Sequence, residues 1–335
     1  MGHGRFGRLA FLTVTAGVLV SCAQARDGAD GEQIALFTKN QTNPYFQSIR
    51  LGADDAARQM GVEIVHYVPT RPDSIPDQMS QIEDAIIKRP DAVVFIPVDF
   101  QAMVPGVGQM NAAGIPVVNL TDRAAGGDFV SWVGCDDRTL GLNAGRYLLE
   151  RMNGRGNVII LEGVGGSANS KARVGGFLQA IEEAPGVTLV ASQPGNFQRL
   201  QALQVTENLL QAYPEIDGVM AANDSMALGA IEALDAANRQ ALVVGINGTR
   251  EAVDAIKAGK LVASTDCNGF VQGCIGAMVA IRHIRDLPVP AEFQFPQPVI
   301  DSTNYGDLDL PDEQRSCPSW ESVAGSLATS PAGGG

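Results

Sequence analysis

Two rhythms of apolar and polar positions run along most of this 335-residue chain. Short, nearly continuous apolar runs fall at residues 33–38, 62–67, 92–96 and 116–120, with helical patterns between them. The segment after the first run places Phe46, Ile49, Ala53, Ala57 and Met60 on one helical face. The rhythm then restarts, with apolar runs at 157–162, 187–193, 218–221, 242–246 and 262–265. A helix over 200–213 carries Leu200, Leu203, Leu210 and Tyr213 on one stripe. Strands apolar on both faces suit a parallel sheet covered by helices on either side. Two successive sets of βα units predict an α/β chain of two doubly wound parallel-sheet lobes. The rhythm fades near the end: residues 306–315 are polar and acidic, and 326–335 are a small-residue, low-complexity tail. Residues 321–335 are expected to be disordered.

The first residues set the compartment. Arg5 and Arg8 precede an uncharged run at 9–20, too short to span a membrane and suited to a signal-peptide core. Leu19-Val20-Ser21-Cys22 matches a bacterial lipobox, making residues 1–22 the leader and Cys22 the lipid-bearing first residue of the mature chain. Ala23-Gln24-Ala25 also satisfies the small-x-small rule, with cleavage after residue 25 as the alternative. Either way export to the periplasm is expected, with anchoring to the membrane through Cys22 under the first reading. Residues 26–32 read as a tether.

The chain carries a net charge of −13, and loss of the leader's two arginines leaves −15. That balance argues against nucleic acid and anionic membrane surfaces as partners. Cys135, Cys267, Cys274 and Cys317 lack the C-x-x-C spacing of a zinc or redox site. An exported chain permits disulfides, but the sequence alone does not pair these four.

Enzymatic chemistry finds no support. Of three histidines, His3 lies in the leader, while His66 and His283 stand alone. Residues 163–167 are glycine-rich between a strand and a helix, yet have neither phosphate-binding spacing, so they read as a tight turn. There is no nucleophile elbow, metal-ligand spacing or implied cofactor. What recurs is polar and aromatic residues at the carboxyl ends of strands, where open α/β sheets bind ligands. These are Asn43, Tyr45, Phe46, Asp122 and Arg123 in the first half, and Arg173, Phe197, Asn223 and Asn247 in the second. Aromatic faces cover the C–H surface of a sugar ring, and Asp, Asn and Arg bond neighbouring hydroxyls.

Asn43-Pro44-Tyr45-Phe46, Asp122-Arg123, Ser192-Gln193-Pro194 and the run from Asn223 through Ala230 carry a resemblance, to which residues 243–249 add. The chain resembles the ribose-type periplasmic sugar-binding proteins of ABC importers over nearly its whole mature length. The resemblance implies two lobes joined by three crossing segments, with a sugar or polyol enclosed between them and a permease in the inner membrane as partner. It implies an aromatic wall of Tyr45, Phe46 and Phe197, with Asn43, Asp122, Arg123, Arg173 and Asn223 holding hydroxyls. Asn247 stands where the family carries a carboxylate, and Asp266 adds an acceptor near the last cleft strand, so the hydroxyl pattern differs from that of a ribose receptor.

The expected lobes are 33–134 plus 268–299 and 135–267 plus 300–320, hinged near 134–136, 265–268 and 300–303. Cys135 and Cys267 fall in hinge segments, and Cys317 lies on a tail that can fold back, so one bridge among them is an expectation to test. The chain is expected to act as a monomer. A periplasmic sensor subunit for a membrane kinase or chemoreceptor is the alternative function; a Rossmann-type enzyme is the alternative of another class.

Overall fold

The computed structural model describes residues 1–3 and 31–323, so the leader readings, Cys22 among them, and the tail beyond residue 323 lie outside the described residues. The described strands are β1 (Gln33–Phe37), β2 (Glu63–Tyr67), β3 (Ala92–Phe95), β4 (Val117–Leu120), β5 (Ser131–Gly134), β6 (Arg155–Glu162), β7 (Gly186–Pro194), β8 (Gly218–Ala221), β9 (Leu242–Ile246), β10 (Ala263–Thr265), β11 (Glu292–Gln294) and β12 (Val299–Ile300). The helices are α1 (Pro44–Met60), α2 (Ile75–Lys88), α3 (Val104–Ala112), α4 (Asp137–Arg151), α5 (Ala168–Glu182), α6 (Arg199–Ala212), α7 (Asp224–Ala236), α8 (Arg250–Lys257) and α9 (Gly269–Ile284).

The strands form two six-stranded sheets, ordered β11-β5-β4-β3-β1-β2 and β12-β10-β9-β8-β6-β7. The first sheet is wholly parallel, and the second departs only where β12 runs antiparallel to β10. The order is the same in both, so each lobe is the doubly wound unit that the restarted rhythm predicts. Strands β3, β4 and β8 are buried along their whole length because helices cover both faces.

Close helix crossings fix the layers. At Gly273 of α9 an added Cβ would stand 1.9 Å from the Ile49 carbonyl of α1, and at Gly141 of α4 one would stand 2.0 Å from the Arg173 carbonyl of α5. Only glycine lets backbones meet so closely. Helix α6 turns a different face inward from the expected one. Leu200 is 65% exposed, while Ala202, Thr206, Leu209 and Leu210 are buried. The small residues are inside because α6 lies close to α7, where the Arg199 carbonyl is 2.2 Å from a Cβ built at Gly229.

The chain passes between lobes after β5, after β10 and from β11 to β12. The third passage lies at 295–298 rather than 300–303, since Val299 and Ile300 already pair with β10. A fourth passage was not expected. Asp309 pairs with Lys257 of the second lobe at 2.9 Å, yet Cys317 donates its N–H to Asp55 of α1 at 2.7 Å. A disulfide between Cys317 and Cys274 of α9 holds it there, with Cα atoms 5.6 Å apart. The assignment of 300–320 to the second lobe is therefore corrected: its last residues belong to the first. The expected disorder from 321 is corrected likewise for 321–323. Trp320 lies against Arg282 and Phe293, residues 320–323 form a helical turn, and Val323 is buried.

Candidate functional site

The carboxyl ends of the two sheets face each other across a small, partly open cavity. Its volume is about 40 Å³, in the measure by which one water needs about 10–15 Å³. The first lobe contributes Lys39, Asn40, Asn43, Tyr45, Phe46, Asp73, Thr121 and Asp122, together with Gln272 from α9. The second contributes Asp137, Leu140, Asn169, Arg173, Phe197, Asn223 and Asn247. Cys135 and Cys267, in the two crossing segments after β5 and β10, complete the wall. They are joined as a disulfide with Cα atoms 6.1 Å apart. Two bridges thus exist where one was expected.

Helix starts position several of these side chains. Asn43 caps α1 by accepting the Tyr45 N–H at 3.0 Å, which sets Tyr45 and Phe46 in the first turn with their rings 5.8 Å apart. Asn223 caps α7 through the Met226 N–H at 3.0 Å, and its Nδ2 donates to the Phe197 carbonyl at 3.2 Å. Phe197 has φ of +59°, an uncommon state for an aromatic residue, and its ring packs over Gly163, where any Cβ would collide with it. Asn247, at φ +126°, donates its N–H to Thr265.

Both cations in the wall are paired, and Asp73 accepts from the Asn40 amide at 3.3 Å. Lys39 forms an ion pair with Asp122, both 7% exposed. Arg173 donates to Asp137 at 2.7 Å and to the Ala222 carbonyl at 2.9 Å, and its guanidinium lies 6.0 Å from the Phe197 ring centre. Burial pushes the Asp137 carboxyl up and the guanidinium opposes it; burial likewise raises Asp73. Thr121 and Gln272 each hold a buried side-chain oxygen without a hydrogen-bond partner.

Eight of the ten residues singled out for the ligand meet in this wall: Asn43, Tyr45, Phe46, Asp122, Arg173, Phe197, Asn223 and Asn247. Arg123 and Asp266 do not, and those two expectations are corrected. Thr121 adopts φ of +55° directly after β4 and is followed by Asp122 turned inward, so the next residue points out. The Arg123 guanidinium stacks 3.7 Å from the Trp132 ring centre and pairs with Glu292, 55% exposed. Asp266 lies beside Gly248 and borders a neighbouring cavity instead. Its carboxylate accepts the Asn268 N–H at 2.6 Å, and burial pushes its pKa up to about 7. Lys39, Asn40, Asp73, Asp137 and Gln272 escaped the sequence reading. Lys39 carried the one usable signal, since it follows the first strand at its carboxyl end.

Two lobes closing sheet ends over a small chamber of aromatic and polar side chains define a ligand-capturing receptor. A model of the periplasmic binding protein domain matches residues 34–287, and the chain belongs to that family. It is a solute-binding protein, not an enzyme. It is 32% identical over 287 residues to the ribose import binding protein of Haemophilus influenzae, covering 86% of this chain and 97% of that one. Among solved structures, a solute-binding protein of Actinobacillus succinogenes with bound D-allose matches with a TM-score of 0.78 and 35% identity, over 82% of this chain and 99% of that one. One from Bacillus halodurans with bound myo-inositol matches at 0.78 and 28%, over 84% and 99%. The family places the protein in the periplasm.

Proposed function

We propose that the protein captures a neutral monosaccharide or polyol in this cavity and delivers it to the permease of an ABC importer in the inner membrane. The observation that carries the reading is the internal pairing of charge. Lys39 is matched by Asp122 and Arg173 by Asp137, so no unpaired cation waits for an anionic ligand. The remaining surface offers amides, hydroxyls, the Asp73 carboxyl and the rings of Tyr45, Phe46 and Phe197, the complement of a polyhydroxylated carbon skeleton. Relatives with ribose in their name, or with allose or myo-inositol bound, support the class. Swapped acceptors such as Asn247 keep the particular sugar open to experiment.

The test is a thermal-shift screen of the mature chain against D-ribose, D-allose, xylitol and myo-inositol, with amino acids and dicarboxylates as controls. A bound sugar or polyol at a hundred times its Kd stabilises the fold by about 2.7 kcal/mol. Stabilisation by the charged controls alone would overturn the reading. Anchoring through a lipidated Cys22 is a further proposal resting on residues 19–22, and the mass of the mature N-terminus decides it: an unmodified start at Arg26 refutes it.

A further inference from the structure

One pair of side chains in the cavity has incomplete hydrogen bonding. Gln272 lies in the first turns of α9, fully buried among apolar neighbours such as Phe270, Cys274 and Ile275. Its Nε2 donates to the Tyr45 hydroxyl oxygen at 2.7 Å and, on its other side, to Cys267, whose carbonyl oxygen lies at 2.9 Å and whose sulfur lies at 2.6 Å. Both amide protons are therefore committed. The carbonyl partner also fixes which end of the amide is nitrogen, since the flipped form would set two acceptor oxygens against each other. The other end, Oε1, is buried and has no partner. A buried acceptor left alone is costly, and such groups mark a missing ligand or water.

Tyr45 is the counterpart. Its oxygen accepts from Gln272, so its own proton needs an acceptor, and among the described residues none receives it. Burial raises the phenol's pKa, which keeps that proton in place across the working pH range. Both residues line the same cavity.

We propose that Tyr45 and Gln272 together read a single ligand hydroxyl: the Tyr45 O–H donates to its oxygen, and its proton goes to Gln272 Oε1. Of common ligand groups a hydroxyl both accepts and donates in this way. A carboxylate offers no proton, an ammonium offers no lone pair, and a C–H offers neither. The pair thus rejects a ligand lacking oxygen at that carbon, and it gives Tyr45 a role that a phenylalanine ring at the same place lacks. Holding Cys267 through its carbonyl and sulfur accounts for neither the contact with the Tyr45 hydroxyl nor the unpartnered Oε1. The assignment rests on the sugar or polyol reading.

The experiment is calorimetry on the mature wild-type chain, Tyr45→Phe and Gln272→Met. The probes are D-ribose, D-allose, xylitol and myo-inositol, then every singly deoxygenated analogue of whichever binds best. Tyr45→Phe is expected to weaken the parent compound about tenfold. One analogue should bind wild type about tenfold less tightly than the parent, and that analogue alone should be indifferent to Tyr45→Phe. A Tyr45→Phe affinity within twofold of wild type for the parent overturns the proposal, as does an equal loss for all analogues, the mark of a merely structural role. Should Gln272→Met fail to fold, Tyr45→Phe, which removes one oxygen, decides alone. A wild-type chain that binds none of the four probes overturns the sugar or polyol reading and this assignment with it, and that failure is told apart because it shows before any variant is made.

Discussion

Lys39 and Asp122 share a buried corner of the cavity, so neither charge can be removed without stranding the other. Breaking a buried pair from one side costs about 3–5 kcal/mol. Lys39→Met is therefore expected to lower stability by about that much in urea unfolding and to weaken ligand binding. Arg123→Ala should leave affinity unchanged and cost no more than about 1 kcal/mol, because its stacking on Trp132 and its pair with Glu292 are half exposed. A large loss of affinity in Arg123→Ala would put the cavity wall in the wrong place. Asp266 gives a pH effect of definite sign. Its folded pKa, near 7, lies above the unfolded value of about 3.9, so between these the folded state holds the extra proton and stability falls as pH rises. Asp266→Asn removes this penalty. The variant should gain on wild type by a few kcal/mol at pH 8 and by little at pH 4, read as the difference between their unfolding free energies. An equal gain at both pH values would contradict it. At this scale the sequence was legible where a residue's place in a strand-to-helix junction set its direction, as for Asn43 and Asn223. It failed at Arg123, where one left-handed residue, Thr121, precedes a pair of neighbours that face opposite ways. Gln272 was hidden in an otherwise apolar helix, where no pattern marks a single polar side chain as facing a cavity.

Helices α4 and α5 carry the cavity's second ion pair, and their contact decides whether Asp137 and Arg173 meet. Gly141 packs directly on the Arg173 carbonyl, and Gly176 of α5 packs on the Arg138 carbonyl, where an added Cβ would stand 2.2 Å away. Gly141→Ala is expected to push the helices apart and cost about 1–3 kcal/mol as an overpacked contact. Ligand affinity should fall with it, because the Arg173 backbone is what moves. Gly165→Ala, with open space around it, serves as the comparison. Retained affinity in Gly141→Ala would show that the helix contact does not set the ion pair. The strands were legible as elements because burial on both faces leaves unbroken apolar runs. The inward face of α6 was not, because a close contact with α7 selects Ala202 and Thr206 over the larger Leu200, reversing the rule that bulk marks the buried side. The edge strands β11 and β12 are three and two residues long and carry no periodicity to read.

At the scale of the whole molecule, two bridges act on the passages between lobes. Cys135–Cys267 ties the segments after β5 and β10 together within the cavity wall, so those two must bend as one. The fourth passage acts as a strap. On the second lobe it is held by Asp309, paired with Lys257 at 2.9 Å and Arg250 at 3.6 Å; on the first it is held covalently through Cys317 and Cys274. Family members of this kind bend about their hinges when ligand enters. Opening the lobes must take up whatever slack lies between Asp309 and Cys317, then act on the weaker anchor. The exposed pairs at Asp309 are worth about 0–1 kcal/mol each, whereas a disulfide contributes about 2–4 kcal/mol and does not yield to thermal motion. The strap therefore restrains opening with the strength of its pairs at Asp309, while the bridge keeps its far end on the first lobe. The double variant Cys274→Ser, Cys317→Ser is expected to lose about 2–4 kcal/mol of stability. Without ligand it should scatter X-rays at small angles with a larger radius of gyration than wild type, and with saturating ligand the two profiles should coincide, because closure slackens the strap. Equal radii without ligand would mean that the tail rides on the first lobe without restraining the second, and that the three passages nearer the cavity alone set how far it opens.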